Sequence, residues 1–341
     1  MMKKLVVCNC LMFVLPLLLS CSRQRTWEPV SQRADKEIVF QEIRLDSILG
    51  TPYDLAVMDS TLLIVDLAQE QRLMLYNLYT GRCCRRLSVG QGPGEVLPLI
   101  FIDVSNSRRR VEVLQREDGI CKSYPIDSLW NGIPTTPETY ELRADRMAVT
   151  KEGYAHAGFT FGGIRHFRIK DSSFETIEDY SRLGVQDSMK RYIFFQGGLT
   201  YNESSSVLMT TPSFASDINF YQYRQGTWML IGSYAVGDHR FEQLVSSDPN
   251  RGIHADDLHH CVDACASVRY FYVLYEGRDM GNNHIPPYKY ILRFTADGEI
   301  DHIYRMDASI SNICVSAGDT LYATMLGGDK EYTLAMADLT K

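Results

Sequence analysis

The chain has 341 residues, of which 35 are basic and 42 acidic, for a formal net charge of −7, and 45% of it is hydrophobic. That balance argues against capture of nucleic-acid phosphates and against docking on anionic lipid through charge alone. The length is enough to bury a large core within one domain.

In chain order, Lys3 and Lys4 precede an apolar run from Leu5 to Leu19 that is broken only by Asn9 and Pro16. This run is short and N-terminal, which predicts an export signal over residues 1–20 rather than a membrane-spanning helix. It ends in Leu18-Leu19-Ser20-Cys21, the small residue and cysteine of a lipobox. Cleavage before Cys21 would free a thiol for a diacylglycerol and an amine for a further acyl chain, and several chains make a lasting anchor. Removing residues 1–20, with Lys3 and Lys4, leaves 321 residues and a net charge of −9. Residues 21–36 are polar, contain Pro29, and read as a tether. Ser22 is not an aspartate, and the residues after Cys21 lack an acidic cluster, so the expected location is the outer membrane, facing the periplasm.

From Tyr53 the pattern changes to short β-rich runs. Tyr53 to Met58, Thr61 to Asp66, Leu73 to Asn77 and Arg82 to Val89 are separated by Asp59-Ser60 and Thr80-Gly81, which reads as a four-stranded antiparallel meander. Comparable apolar starts follow near Ile100, Arg146, Gln196, His259 and Ile310, at intervals from Asp54 of 46, 46, 50, 63 and 51 residues. A period of that length is the length of a propeller blade. The last unit, Ile310 to Lys341, offers only three strands, and Ile38 to Leu45 supplies the fourth. The prediction is an all-β, six-bladed propeller over residues 37–341, closed by its N-terminal strand so that no sheet edge is left open. An insertion hidden in the fourth interval would change the count to five or seven. Pro125 to Pro137 reads as loop, and so does the stretch around Gly281.

The first blade carries a more specific signal. Leu87 to Glu95 (LSVGQGPGE), after an inner strand pair and a Tyr-Asn-Leu-Tyr-Thr-Gly hairpin, resembles the blade junction of TolB-like and NHL-like six-bladed propellers. With its lipobox, the chain is similar to the TolB-like propeller lipoproteins of Bacteroidetes. That resemblance implies the fold and an envelope location, and it carries no activity onto particular residues. Gly90 to Glu95 reads as a blade-connecting turn, since phosphate-binding glycine loops lead into a helix and this one leads into a strand.

Six cysteines remain beyond Cys21, namely Cys83, Cys84, Cys121, Cys261, Cys265 and Cys314. Adjacent strand residues point to opposite faces, so Cys83 and Cys84 should not bridge each other, and most of the six should serve as small buried apolar groups.

In a propeller, the turns from each outer strand to the next inner strand surround one mouth of the central channel. Those turns place Tyr53, Asp54, Glu95, Arg146, Arg191 and Asp257 as candidate binding residues there. The densest constellation is HADDLHHCVDAC, His254 to Cys265, where His254, Asp256 and His259 are candidate ligands for a divalent metal. Its spacing matches no HExxH or paired CxxC pattern, and the other reading is a polar loop entering an inner strand. No other cofactor is expected. No GxSxG elbow supports a serine nucleophile. The expected function is therefore a non-enzymatic module that binds an envelope protein, a peptide or a glycan and meets the membrane through Cys21. The alternative is a metal-assisted or carboxylate-based propeller hydrolase or lyase with its site at the channel mouth.

Overall fold

In the computed structural model, the residues described are 28–92, 94–158, 160–180, 185–281, 289–306, 308–327 and 331–339. The expected export signal, residues 1–20, and Cys21 lie outside them, as does most of the stretch after Gly281.

A short 3-10 turn, Val30–Gln32, precedes two small strands, β1 (Lys36–Glu37) and β2 (Gln41–Ile43). Blade one follows as β3 (Pro52–Met58), β4 (Thr61–Asp66), β5 (Gln71–Asn77) and β6 (Cys83–Ser88). Blade two is β7 (Ile100–Ser105), β8 (Arg110–Gln115), β9 (Ile120–Pro125), helix α1 (Ile126–Asn131) and β10 (Glu138–Glu141). Blade three is β11 (Arg146–Val149), β12 (Gly153–Ala157), β13 (Gly163–Arg168) and β14 (Ser173–Asp179). After helix α2 (Ser188–Phe195), blade four is β15 (Gly197–Asn202), β16 (Val207–Pro212), β17 (Asp217–Arg224) and β18 (Thr227–Ala235). Helix α3 (Arg240–Ser247) leads to blade five, β19 (Leu258–Ala266), β20 (Tyr270–Asp279), β21 (Lys289–Thr295) and β22 (Ile300–Met306). Blade six begins with β23 (Ile310–Val315), β24 (Thr320–Leu326) and β25 (Tyr332–Asp338).

The six sheets are antiparallel meanders, and β2 is the fourth strand of blade six, pairing with β25 from Gln41↔Met336 to Ile43↔Leu334. The N-terminal chain does more than that. Just upstream, β1 lies parallel to β22 as a fifth strand of blade five, and Asp35 accepts the His302 imidazole at 2.7 Å and the Ile303 N–H at 2.8 Å. Val30 is buried among residues of blades four and five.

Strand alternation explains why each blade needs two neighbours. In β4 all six residues are buried: Leu63 and Val65 pack toward blade two, while Leu62 and Ile64 pack toward blade six. The same split separates Leu73 and Leu75 from Met74 and Tyr76, and Cys84 from Cys83. A blade is thus apolar on both faces and stable only between others. All six cysteines beyond Cys21 are free; Cys121, Cys261 and Cys314 are buried.

Among the described residues, three helices interrupt the β pattern. α1 falls where PIDSLWNGIPTTP reads as loop, and Gly132 ends it in the left-handed conformation with φ 64°. α2 starts at Asp187, whose carboxylate accepts the Met189 and Lys190 N–H groups. α2 and α3 precede blades four and five, and α3 falls within the longest interval, the 63 residues before blade five. Gly119, at φ 68°, turns β8 into β9, and a Cβ there would lie 2.6 Å from the Cα of Arg143.

The meander gives the ring two distinct faces. Turns between first and second strands and between third and fourth strands share one, which we call the turn face. Connections from each outer strand to the next blade share the other, the loop face, with α2, α3 and the turns between second and third strands. Contacts between blades confirm the grouping on the turn face. There Arg109 meets Asp59 at 2.8 Å, Lys151 meets the Ser206 hydroxyl at 3.1 Å, and Asn202 donates to the Ser267 carbonyl at 2.9 Å.

Candidate functional site

The six inner strands β3, β7, β11, β15, β19 and β23 enclose a channel of about 1050 Å³. Tyr53, Asp54, Arg146 and His259 line it, as the position of their strands requires. At the loop-face mouth, the Tyr53 ring lies 5.3 Å from that of Phe101, and the Arg146 guanidinium sits 4.2 Å over Phe101. Three successive blades thus contribute a phenol, a phenyl and a cation to one stack, a surface suited to a flat or anionic group.

Below the stack are three carboxylates, Asp54, Asp103 and Asp263, each held in the same way. Asp54 accepts the N–H of its own successor Leu55 at 2.9 Å and that of Ile102 in the next blade at 2.7 Å. Asp103 accepts from Val104 and, across the next seam, from Val149, both at 2.7 Å. Asp263 accepts from Ala264 at 2.8 Å and from Ile313 of blade six at 2.7 Å. Two other seams use neutral groups: the Thr200 hydroxyl donates to the Ala264 carbonyl, and the Asn312 amide donates to the Tyr53 carbonyl.

Burial raises all three carboxyls above the ordinary range. Asp103 and Asp263 are each pushed up to about 6, against the opposing pull of their backbone donors. Asp54 is raised well above its usual value by burial and then by repulsion from Asp263. Cys265 and Cys314, on adjacent inner strands of the same wall, have thiols that burial holds well above the usual range.

The remaining candidates stand elsewhere. Glu95 turns back on its own loop, where its carboxylate accepts the Gly92 N–H at 2.7 Å, and a Cβ on Gly90 would lie 2.0 Å from that carboxylate. The glycine-rich run is a blade-connecting turn, as the sequence indicates. Arg191, in α2, donates to the Val185 carbonyl at 3.2 Å and does not line the channel. Asp257 is buried, with both oxygens on the Arg251 guanidinium at 2.9 and 3.0 Å, and it also accepts the His254 N–H. It organises the loop after α3 instead of facing a ligand.

The proposed metal triad does not converge. His254 is exposed, Asp256 pairs with Arg240 on the surface at 2.8 Å, and His259 sits 3.8 Å from Glu276 with its ring against Phe214. His259 holds the Glu276 carboxyl down at about 2, with help from Lys289 and Arg278. Among the described residues, no group of three or more His, Cys, Asp or Glu could hold a metal. The physical reason is that His254 and Asp256 lie in the loop before β19, where the His254 N–H bonds Asp257 and Arg240 holds Asp256 at the surface, while His259 enters the strand beside Glu276. Within β19 itself there are two β-bulges, at His259/Cys261 and Cys261/Asp263. They break the strict alternation that would put His259, Cys261 and Asp263 on one face.

Asp103 and Asp263 are the site residues that a search of the turns overlooks, because they lie within strands. Their signal is an aspartate inside an otherwise apolar inner strand, present as YDLA, IFIDV and CVDAC.

No protein-family model matches the chain, and no curated protein does. Solved structures do. A Bacteroides fragilis protein named as exported superposes with a TM-score of 0.54 at 11% identity, covering 88% of this chain and 94% of its own. A luciferin-regenerating enzyme gives a TM-score of 0.51 at 12% identity, covering 88% and 95%. A DUF4221 family member from Bacteroides vulgatus gives 0.50 at 12% identity, covering 89% and 98%. The likeness is one of fold. At these identities it extends to the β-propeller and leaves activity to the site itself.

Proposed function

We propose that the protein is a cell-envelope lipoprotein of the TolB-like kind, anchored through Cys21 at the outer membrane and facing the periplasm. Its propeller acts as a non-enzymatic module that binds a protein, peptide or glycan on the loop face. One observation carries the choice of binding over catalysis: Asp54, Asp103 and Asp263 each already accept two backbone amides across or beside a blade seam. Acids held in this way staple the ring, whereas a hydrolase needs an acid and a base that can reach a substrate. The location is supported by the lipobox, and it agrees with the exported neighbour from Bacteroides fragilis. Among the described residues, no helix is long and apolar enough to cross a membrane.

Photo-crosslinking amino acids placed in the full chain test the reading. Positions Met189 and Met280 report on the loop face, and Tyr79 and Ile133 on the turn face. Discrete protein or glycan adducts from the loop-face positions alone are expected. Adducts of that kind from the turn face, or none from the loop face, would reject it.

A further inference from the structure

Large exposed apolar side chains are not spread evenly over the ring. Among the described residues nine are half exposed or more: Ile48 and Met189 stand on the loop face, Val39 links β1 to β2, and the other six are Tyr79, Ile133, Phe174, Met229, Leu230 and Val268. Tyr79 lies in the β5–β6 turn, Ile133 follows α1, and Val268 lies in the β19–β20 turn, all on the turn face. Phe174 and Met229 stand within three residues of the start of β14 and β18, where those outer strands leave the same face. Blades one to five therefore each contribute at least one such group to one rim. α1 sits at that rim too, fixed by the Trp130 indole N–H on the Thr61 hydroxyl at 2.9 Å.

The N-terminal chain approaches from that side. In the parallel register, Lys36 lies opposite Tyr304 and Asp35 bonds Ile303, so residues before Asp35 run back toward Ile300 and the β21–β22 turn, on the turn face. Only eight residues lie between Cys21 and Val30. Fully extended they reach at most about 30 Å, which holds the face they leave from close to any bilayer that Cys21 enters.

We propose that the turn face is a lipid-contacting surface, lying against the bilayer with Tyr79, Ile133, Phe174, Met229, Leu230 and Val268 at the headgroup level. Aromatic and aliphatic side chains settle there in proteins that lie on a membrane. This inference rests on lipidation at Cys21. It turns the loop face, with the channel mouth, away from the membrane.

The experiment uses the full-length protein, purified from membranes and reconstituted in phosphatidylethanolamine and phosphatidylglycerol vesicles that contain a photoactivatable diazirine lipid. After irradiation, lipid adducts are mapped by peptide mass spectrometry, and the same spectra read the acyl chains on Cys21. Peptides carrying Tyr79, Ile133 and Met229 should be labelled at least tenfold more than those carrying Ile48, Met280 and Leu326. Even labelling, or a loop-face excess, on protein with acylated Cys21 overturns the lipid-facing assignment alone. An unacylated Cys21 overturns the anchor and this inference together.

Discussion

The carboxylate of Asp54 in blade one accepts the backbone N–H of Ile102 in blade two at 2.7 Å, so a side chain of one inner strand holds the main chain of the next. Asp103 and Asp263 repeat the relation two further times around the ring. Asp54→Ala should leave two amides without their acceptor. The channel admits water to part of the site, so the expected cost is about 1–3 kcal/mol. Urea unfolding measures it, and an unchanged midpoint would show that the staple is dispensable.

Acid should favour the folded state through the same groups. Asp103 and Asp263 are pushed up to about 6 by burial, whereas an unfolded aspartate titrates near 3.9. The folded chain therefore binds their protons more tightly. Their contribution to stability is fully present below about pH 4 and is lost as pH rises through about 6. Relative to an Asp103→Asn, Asp263→Asn double variant, the natural protein should gain thermal stability when the pH falls from 7 to 5. Parallel melting curves across that interval would contradict the assignment.

Asp257 and Asp256 are neighbours with opposite expected effects. The former is buried with both oxygens on Nη2 of Arg251, and the latter shares a surface pair with Arg240. Asp257→Ala should cost about 3–5 kcal/mol, since it strands a buried guanidinium. Asp256→Ala should cost about 1 kcal/mol or less. Chemical denaturation separates the two, and equal losses would mean that the loop after α3 is organised in some other way.

Trp130→Phe removes the indole donor to Thr61 while keeping most of the apolar volume. The expected loss is about 1 kcal/mol. A loss confined to local hydrogen exchange in α1, with the global midpoint unmoved, would show that the helix opens independently of the ring.

The blades were legible because a doubly buried strand such as TLLIVD has few other readings, and because the shortage of one strand at the C-terminal end pointed to its replacement at the N-terminal one. The helices were less so. α1 is one and a half turns long and framed by prolines, and its Trp130 and Leu129 are explained only by the blade beneath them. The site was legible for Tyr53, Asp54 and Arg146, which begin or nearly begin inner strands. It failed for Glu95, Arg191 and Asp257, since a polar residue near a mouth can bond its own loop as readily as face the channel. The His254 to Cys265 cluster failed for a different reason: His254 and Asp256 belong to the loop before β19 and bond within it or at the surface, while bulges that sequence alternation does not foresee disturb the strand that follows.

The position of β2 has a consequence for the order of events in synthesis. Gln41–Ile43 is made before the first strand of any blade, yet its partner β25, Tyr332–Asp338, is made after five blades. Blade six cannot be completed until β25 has been made, and until then both ends of the growing array present unpaired strand edges. Such late, long-range pairing is slow and exposes the intermediate to aggregation. Folding yield should therefore be limited more by what shields that open array than by the stability of the finished ring.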